Sequence, residues 1–195
     1  MIYLPDPYYN PDFVPDASLN IKTHLSKRSS IGKYFINTGK NYDYDNLEYS
    51  ERLSIAKNLY LFAEFEKVIN TSYGPYKDIR LVVSEGLYQP EANEVLSTGS
   101  INFLRNKGRA IVYEVMTTEG IVNEITFEVA NYIKDNARFD RLILDYDLFE
   151  GTLHSGLIVT MPVINDGFEV KFRQEIQTQF NNVFQTNGEF VEIKG

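Results

Sequence analysis

Phe139-Asp140-Arg141-Leu142-Ile143-Leu144-Asp145-Tyr146, followed a few residues later by Leu153-His154-Ser155-Gly156-Leu157-Ile158-Val159-Thr160-Met161, decides the fold class. Both runs are short and rich in Leu, Ile and Val. Such runs read as buried strands rather than helices. Arg141–Tyr146 and Leu153–Met161 are therefore two predicted strands, with Asp147–Thr152 as the loop between them.

Toward the N-terminus the pattern alternates between the two periods. Val122, Ile125, Val129, Tyr132 and Ile133 repeat at helical spacing over 121–135. Ala110 to Met116 reads as a strand, and residues 90–106 as a helix start at Pro90-Glu91 followed by a loop. Ile79-Arg80-Leu81-Val82-Val83 is another β-branched strand. Over 46–70, Ile55, Leu59, Phe62 and Ile69 share one helical face with Ala56 and Ala63 beside it. Asn46 or Ser50 is the expected cap, and Tyr73-Gly74-Pro75 the stop. Toward the C-terminus, Phe168, Val170 and Phe172 alternate as a strand. Ile176, Phe180, Val183 and Phe184 follow helical spacing, and Asn187-Gly188 turns into a last short strand. Helices and strands mixed without a strict βαβ alternation predict an α+β domain. With no repeat and no linker, residues 21–195 read as one domain, with a C-terminal extension from about 165.

Composition narrows the function classes. The formal net charge is −8, which argues against a general nucleic-acid binder or an anionic membrane-surface protein. No run approaches the 18 or so apolar residues that span a bilayer, and the first residues lack a signal peptide's basic start and apolar run. The absence of Cys excludes disulfides and thiolate metal sites. Fourteen Tyr and thirteen Phe supply large contact area that a core or an interface could use.

Residues 1–20 hold Pro5, Pro7, Pro11 and Pro15 among four aromatics and read as an extended arm. Tyr3, Tyr8, Tyr9 and Phe13 suit a packed contact better than a solvated tail, and are the candidate interface residues. The arm is either a strap over its own domain or a tether to a neighbouring subunit.

In this order of elements the chain resembles the zinc D-alanyl-D-alanine carboxypeptidases of the Hedgehog/DD-peptidase fold. Ser29-Ser30-Ile31-Gly32-Lys33-Tyr34-Phe35-Ile36-Asn37 is similar to that family's opening S-S-x-A-x-x-x-x-I-x-N, ahead of a long helix. Gly74-Pro75 and then Ser84-Glu85-Gly86-Leu87-Tyr88-Gln89-Pro90-Glu91-Ala92-Asn93 follow its G-P-I-x-V-x-S-G-Y-R-S-P-x-x-N stretch. Phe103 to Val112 lies where the family has S-x-H-x-x-G-x-A-x-D. Phe139 to Asp145 and then Thr152-Leu153-His154 are similar to F-D-x-L-I-x-E followed by W-x-H. The resemblance covers roughly residues 25–160 and implies a central, mainly antiparallel sheet with helices packed on it.

The departures bear on chemistry. In the family a His, an Asp and a final His hold zinc and leave an open position for water. The resemblance puts the first ligand on Arg105, a cation with no lone pair to give, the second on Val112, and the last on His154. Tyr88 stands where an Arg would grip the substrate carboxylate, and Asp145 where the catalytic Glu would be. Glu114 shares the strand face of Val112 and could replace one ligand; His24, the other histidine, precedes the first helix and is expected at the surface. Lys22, Lys27, Arg28 and Lys33 form the strongest basic patch.

These observations predict a protein without catalytic residues, metal or cofactor. The expected role is a structural or assembly protein on a decayed peptidase scaffold, in the tail or connector of a tailed bacteriophage virion. Its partners would be other virion proteins or copies of itself, with no nucleic acid and no membrane. Two alternatives stand beside it: a peptidoglycan-binding module that kept the groove, and an active zinc peptidase using His154 with Asp145 or Glu150.

Overall fold

The computed structural model describes residues 19–22, 24–25, 29–36, 43–72, 79–162 and 172–194. Tyr3, Tyr8, Tyr9 and Phe13, Phe168 and Val170, Lys27 and Arg28, and the expected stop at Tyr73-Gly74-Pro75 lie outside these residues.

The chain is α+β. Helix α1 (Tyr49–Ser72) leads into strand β1 (Arg80–Glu85), helix α2 (Ile101–Asn106), strands β2 (Ala110–Thr117) and β3 (Gly120–Ile121), and helix α3 (Thr126–Asn136). Strands β4 (Arg141–Phe149), β5 (Thr152–Thr160), β6 (Glu175–Phe180) and β7 (Val183–Asn187) follow. They form one seven-stranded sheet of order β1-β2-β5-β4-β6-β7, with β3 beside β2. Every pairing is antiparallel except β4 with β6.

The β4–β5 hairpin sits at the centre. Its register runs from Arg141↔Thr160 to Phe149↔Thr152, so both strands reach beyond the expected loop and only Glu150-Gly151 remains as the turn. Both turn residues have positive φ, at 50° and 79°, as a tight two-residue hairpin turn requires. Asp147 and Thr152 look like loop residues because they are polar. They are strand residues whose side chains occupy the exposed end of the sheet.

One face of the sheet carries the main core. Leu142, Leu144 and Tyr146 of β4 and Leu157 and Val159 of β5 join Ile111, Tyr113 and Val115 of β2 under the two longer helices. From α1 come the predicted Ile55, Leu59, Phe62 and Ile69, with Ala56 and Ala63; from α3 come Val129 and Ile133. Each buried Phe or Leu side chain adds roughly 2 kcal/mol of transfer free energy. Helix α1 is buried on more than one side: Asn58, Glu64 and Glu66 are buried as well. Glu66 accepts hydrogen bonds from the Tyr34 and Tyr113 hydroxyls and an ion pair from Lys33. Lys33, read as part of an open basic patch, is thus committed to the core's edge, and Ser29 Oγ joins the same carboxylate.

The stretch Ile31–Tyr34 forms a 3-10 turn, after which the chain runs against the end of β1. Gly86 N–H donates to Ile36 O (2.9 Å) and Leu87 N–H to Tyr34 O (2.8 Å). A Cβ on Gly86 would stand 1.9 Å from Tyr34 O, so only glycine allows this approach.

Three further readings of the sequence are corrected. The helix start at Pro90-Glu91 does not form; the helix begins at Ile101, where Ser100 Oγ accepts from Phe103 N–H as an N-cap. Residues 176–184 are two strands, not a helix. The spacing Ile176, Phe180, Val183 fits a helix, but Asn181 and Asn182 (φ 47° and 62°) break it with a hairpin turn. The backbone of β4 also offers β6 a parallel ladder of six register pairs, Arg141↔Glu175 to Tyr146↔Phe180. Beyond Gly188 the chain lies along β6 without forming the expected last strand.

Candidate functional site

The opposite face of the sheet is only partly covered. Helix α2 and the preceding loop shield Leu104, Ala110, Ile143 and Ile158, which are buried but stand apart from the main core. Next to them lies an open cleft of about 560 Å3. Strand pairing explains its floor: Val112 faces Ile158 across β2–β5, and Asp145 stands opposite Gly156 on one side and Gln179 on the other.

Three of the five positions singled out by resemblance, Arg105, Val112 and Asp145, line this cleft. A fourth, Tyr88, lies against Arg105 with its ring centroid 5.4 Å from the guanidinium carbon. The fifth, His154, is not among the lining residues. Its cross-strand partner is Asp147, and it is exposed beside Phe149, their ring centroids 6.4 Å apart. It lies four residue steps along β5 from Ile158, a span of about 13 Å at the usual rise. Asp145 and His154 are therefore diagonal, two register positions out of step, and no hydrogen bond joins them among the described residues. Glu114 keeps the face of Val112, as strand alternation requires.

Arg105 is the cleft's fixed point. Although charged, it is buried, and its Nε donates to Gly86 O at 2.8 Å. Its Nη1 donates to Glu85 Oε2 at 2.6 Å and to Asn102 Oδ1 at 3.2 Å. Burial lowers its pKa, and Glu85 opposes that shift. A guanidinium remains cationic throughout. Tyr88 donates to Glu94 Oε2 at 2.7 Å, and that bond pushes its phenol up.

Asp145 is half-buried and receives Gln179 Nε2 at 2.8 Å. Burial pushes its carboxyl up; the Gln179 bond opposes this, while Asp147 and Glu85 reinforce it. Asp145 combines partial burial with a raised carboxyl pKa. A lone carboxylate of this kind can hold a cation or accept a hydrogen bond. Its hydrogen-bond partner among the described residues is the Gln179 amide, which does not titrate, so the two form no acid–base pair.

Among the described residues no group of three or more His, Asp and Glu side chains could hold a metal ion. His24 is exposed, bridged antiparallel to Ser30. Glu150 occupies the tip of the β4–β5 turn, exposed and away from the cleft lining. Sequence reading missed Gln179 and Glu94, which complete the cleft. Gln179 lay in a stretch read as helix, and Glu94 in one read as a helix start and loop, so neither could be assigned to a wall. No helix among the described residues is long and apolar enough to cross a membrane. Comparison with family models, with curated proteins and with solved structures returned no match to this chain.

Proposed function

We propose that this chain is a non-catalytic structural or assembly protein, built on a scaffold of the Hedgehog/DD-peptidase kind and serving in the tail or connector of a tailed bacteriophage particle. One observation carries the non-catalytic reading. Where zinc chemistry needs lone-pair donors, the cleft presents a guanidinium already bonded to Gly86 O, Glu85 and Asn102, beside the hydrocarbon of Val112. A cation at that point repels a divalent ion instead of binding it. Exposed Leu148, Phe149 and Val183 at the neighbouring hairpin tips offer apolar area of the kind an interface uses. The virion context rests on the resemblance alone.

Two measurements test this. Protein purified from zinc-rich medium should contain no stoichiometric zinc and release no D-alanine from a stem pentapeptide. Near-stoichiometric metal with hydrolysis returns the chain to the zinc peptidases. Co-expression with the products of its flanking genes should give a stoichiometric complex by size exclusion, and its absence removes the assembly role.

A second reading has the cleft itself in its favour. Its volume of about 560 Å3 falls within the range of ligand-binding clefts, so a peptidoglycan-binding module remains the alternative. Retention on purified sacculi at low salt decides for it.

A further inference from the structure

We propose that the cleft beside α2 is a docking slot for the basic stretch Lys22–Arg28 of a second copy of the chain, joining copies head to tail. This rests on the assembly reading and names the partner of the same site.

The charges of the two surfaces are complementary. Among the described residues, Glu85, Glu94 and Asp145 line the cleft against one cation, Arg105, a formal balance of −2. The chain as a whole is at −8, yet between Asp16 and Asp43 it has Lys22, Lys27, Arg28, Lys33 and Lys40 and no Asp or Glu. Lys33 is committed to Glu66. Lys22 is exposed, and Ile21 beside it is 40% exposed.

Shape and polarity agree with this occupant. Val95, 93% exposed, and Leu96 supply apolar area at the cleft's edge, and Ile158 lies at its floor. A Lys or Arg can lay its methylene stem on such a wall while its charged head reaches a carboxylate. Asp145 has one oxygen engaged by Gln179, and its other oxygen is the natural acceptor. Burial has already made that carboxylate costly when unpaired, so an arriving cation gains more from it than from a solvated one.

The arm is a poor occupant. Residues 1–21 contain Asp6, Asp12 and Asp16 and no Lys or Arg, so the cleft's carboxylates repel them.

The flanks of the basic stretch lie on the side of the sheet opposite the cleft. Leu19, Ile21 and Ser29 are tied to the helix side through Arg52, Asp45 and Glu66. The flanks of the basic stretch are held together there by the His24–Ser30 bridge and by Leu25 N–H donating to Ser29 O at 2.8 Å. The cleft opens on the other face of the sheet. A contact between unlike patches is heterologous, and repeats to a ring or a filament.

Sedimentation velocity of the full chain tests the slot, with circular dichroism as the check on folding. Wild type should self-associate at about 0.05 M salt and dissociate at about 1 M, where the screening length falls to about 3 Å. Lys27→Glu/Arg28→Glu reverses the stretch, and Glu94→Lys/Asp145→Lys reverses the cleft. Each should weaken self-association at least tenfold, and an equimolar mixture of the two should recover it, because each then offers anion to cation. Asp145→Asn, nearly isosteric, should weaken association in the same direction if the lysine variant fails to fold. Association that persists in both reversed variants, or a mixture that does not recover, overturns the slot and leaves the assembly reading to the co-expression test. A wild-type chain that stays monomeric at about 1 mM overturns the slot too.

Discussion

Tyr113 Oη donates to Glu66 Oε1 at 3.0 Å, joining the C-terminal third of α1 to β2 across the core. Tyr34 Oη reaches the same oxygen at 3.1 Å, and Lys33 pairs with Oε2. One buried carboxylate thus ties the helix, the sheet and the N-terminal turn. Losing it strands two buried hydroxyls and a cation. Glu66→Ala should therefore cost about 3 kcal/mol. Glu66→Gln keeps an acceptor for the phenols and should cost about 1 kcal/mol. Urea unfolding at neutral pH separates the two; equal losses would mean that packing, not the hydrogen bonds, holds the junction.

The same pair of phenols fixes behaviour at high pH. Burial, reinforced by Glu66, raises both Tyr34 and Tyr113 well above the ordinary value. In the unfolded chain they ionise near pH 10, while the folded chain keeps them protonated. The unfolded state therefore binds fewer protons above that pH, and stability present below about pH 10 is lost as pH rises beyond it. Phenolate absorbance should show the last tyrosines ionising together with unfolding. Tyr113→Phe should make the alkaline fall shallower; an unchanged slope rejects the assignment.

Gly86→Ala places a Cβ against Tyr34 O, at 1.9 Å before relaxation. Backbone must move, and the two hydrogen bonds to Tyr34 and Ile36 weaken with it. A loss of about 3 kcal/mol is expected. Hydrogen exchange should speed up at Gly86 and Leu87 relative to β4. Uniform protection in the variant counts against the close approach.

Asp145 gives a prediction of opposite sign. Its folded pKa is raised, so the stability it contributes is complete below its unfolded pKa and lost as pH rises through the folded one. At neutral pH the ionised, half-buried carboxyl is a net cost. Asp145→Asn, still able to accept from Gln179, should stabilise the chain at pH 7 by up to about 1 kcal/mol and leave it unchanged at about pH 3. Destabilisation at pH 7 would show that the carboxylate has a cation partner in the free chain.

Much of the fold was legible because its signals are local. The hydrophobic period of α1 put Ile55, Leu59 and Phe62 on the buried face, and the apolar runs at 110–116 and 141–146 marked the two strands that flank β5. The 176–184 stretch was misread because its spacing suits either period. What decides it is Asn181-Asn182 in the left-handed region and an open β4 edge, and that edge exists only once the sheet has formed. The candidate site shows the same division. Motif order pointed to Arg105, Val112, Asp145 and Tyr88, which the fold brings around one cleft. His154 fell outside it, because strand register sets which residue faces Val112, and that residue is Ile158.

The sequence by itself determined the α+β class, the apolar faces, the lack of thiols and the presence at 105 and 112 of an Arg and a Val, neither of which offers a lone pair, since these follow from residue type and period. Only the tertiary structure decided that Arg105 is bound to Glu85 and Gly86, that Gln179 and Glu94 join the cleft, and that His154 stands apart. The reason is physical: pairing register and burial are properties of segments far apart in the chain, and no local pattern encodes which of them meet.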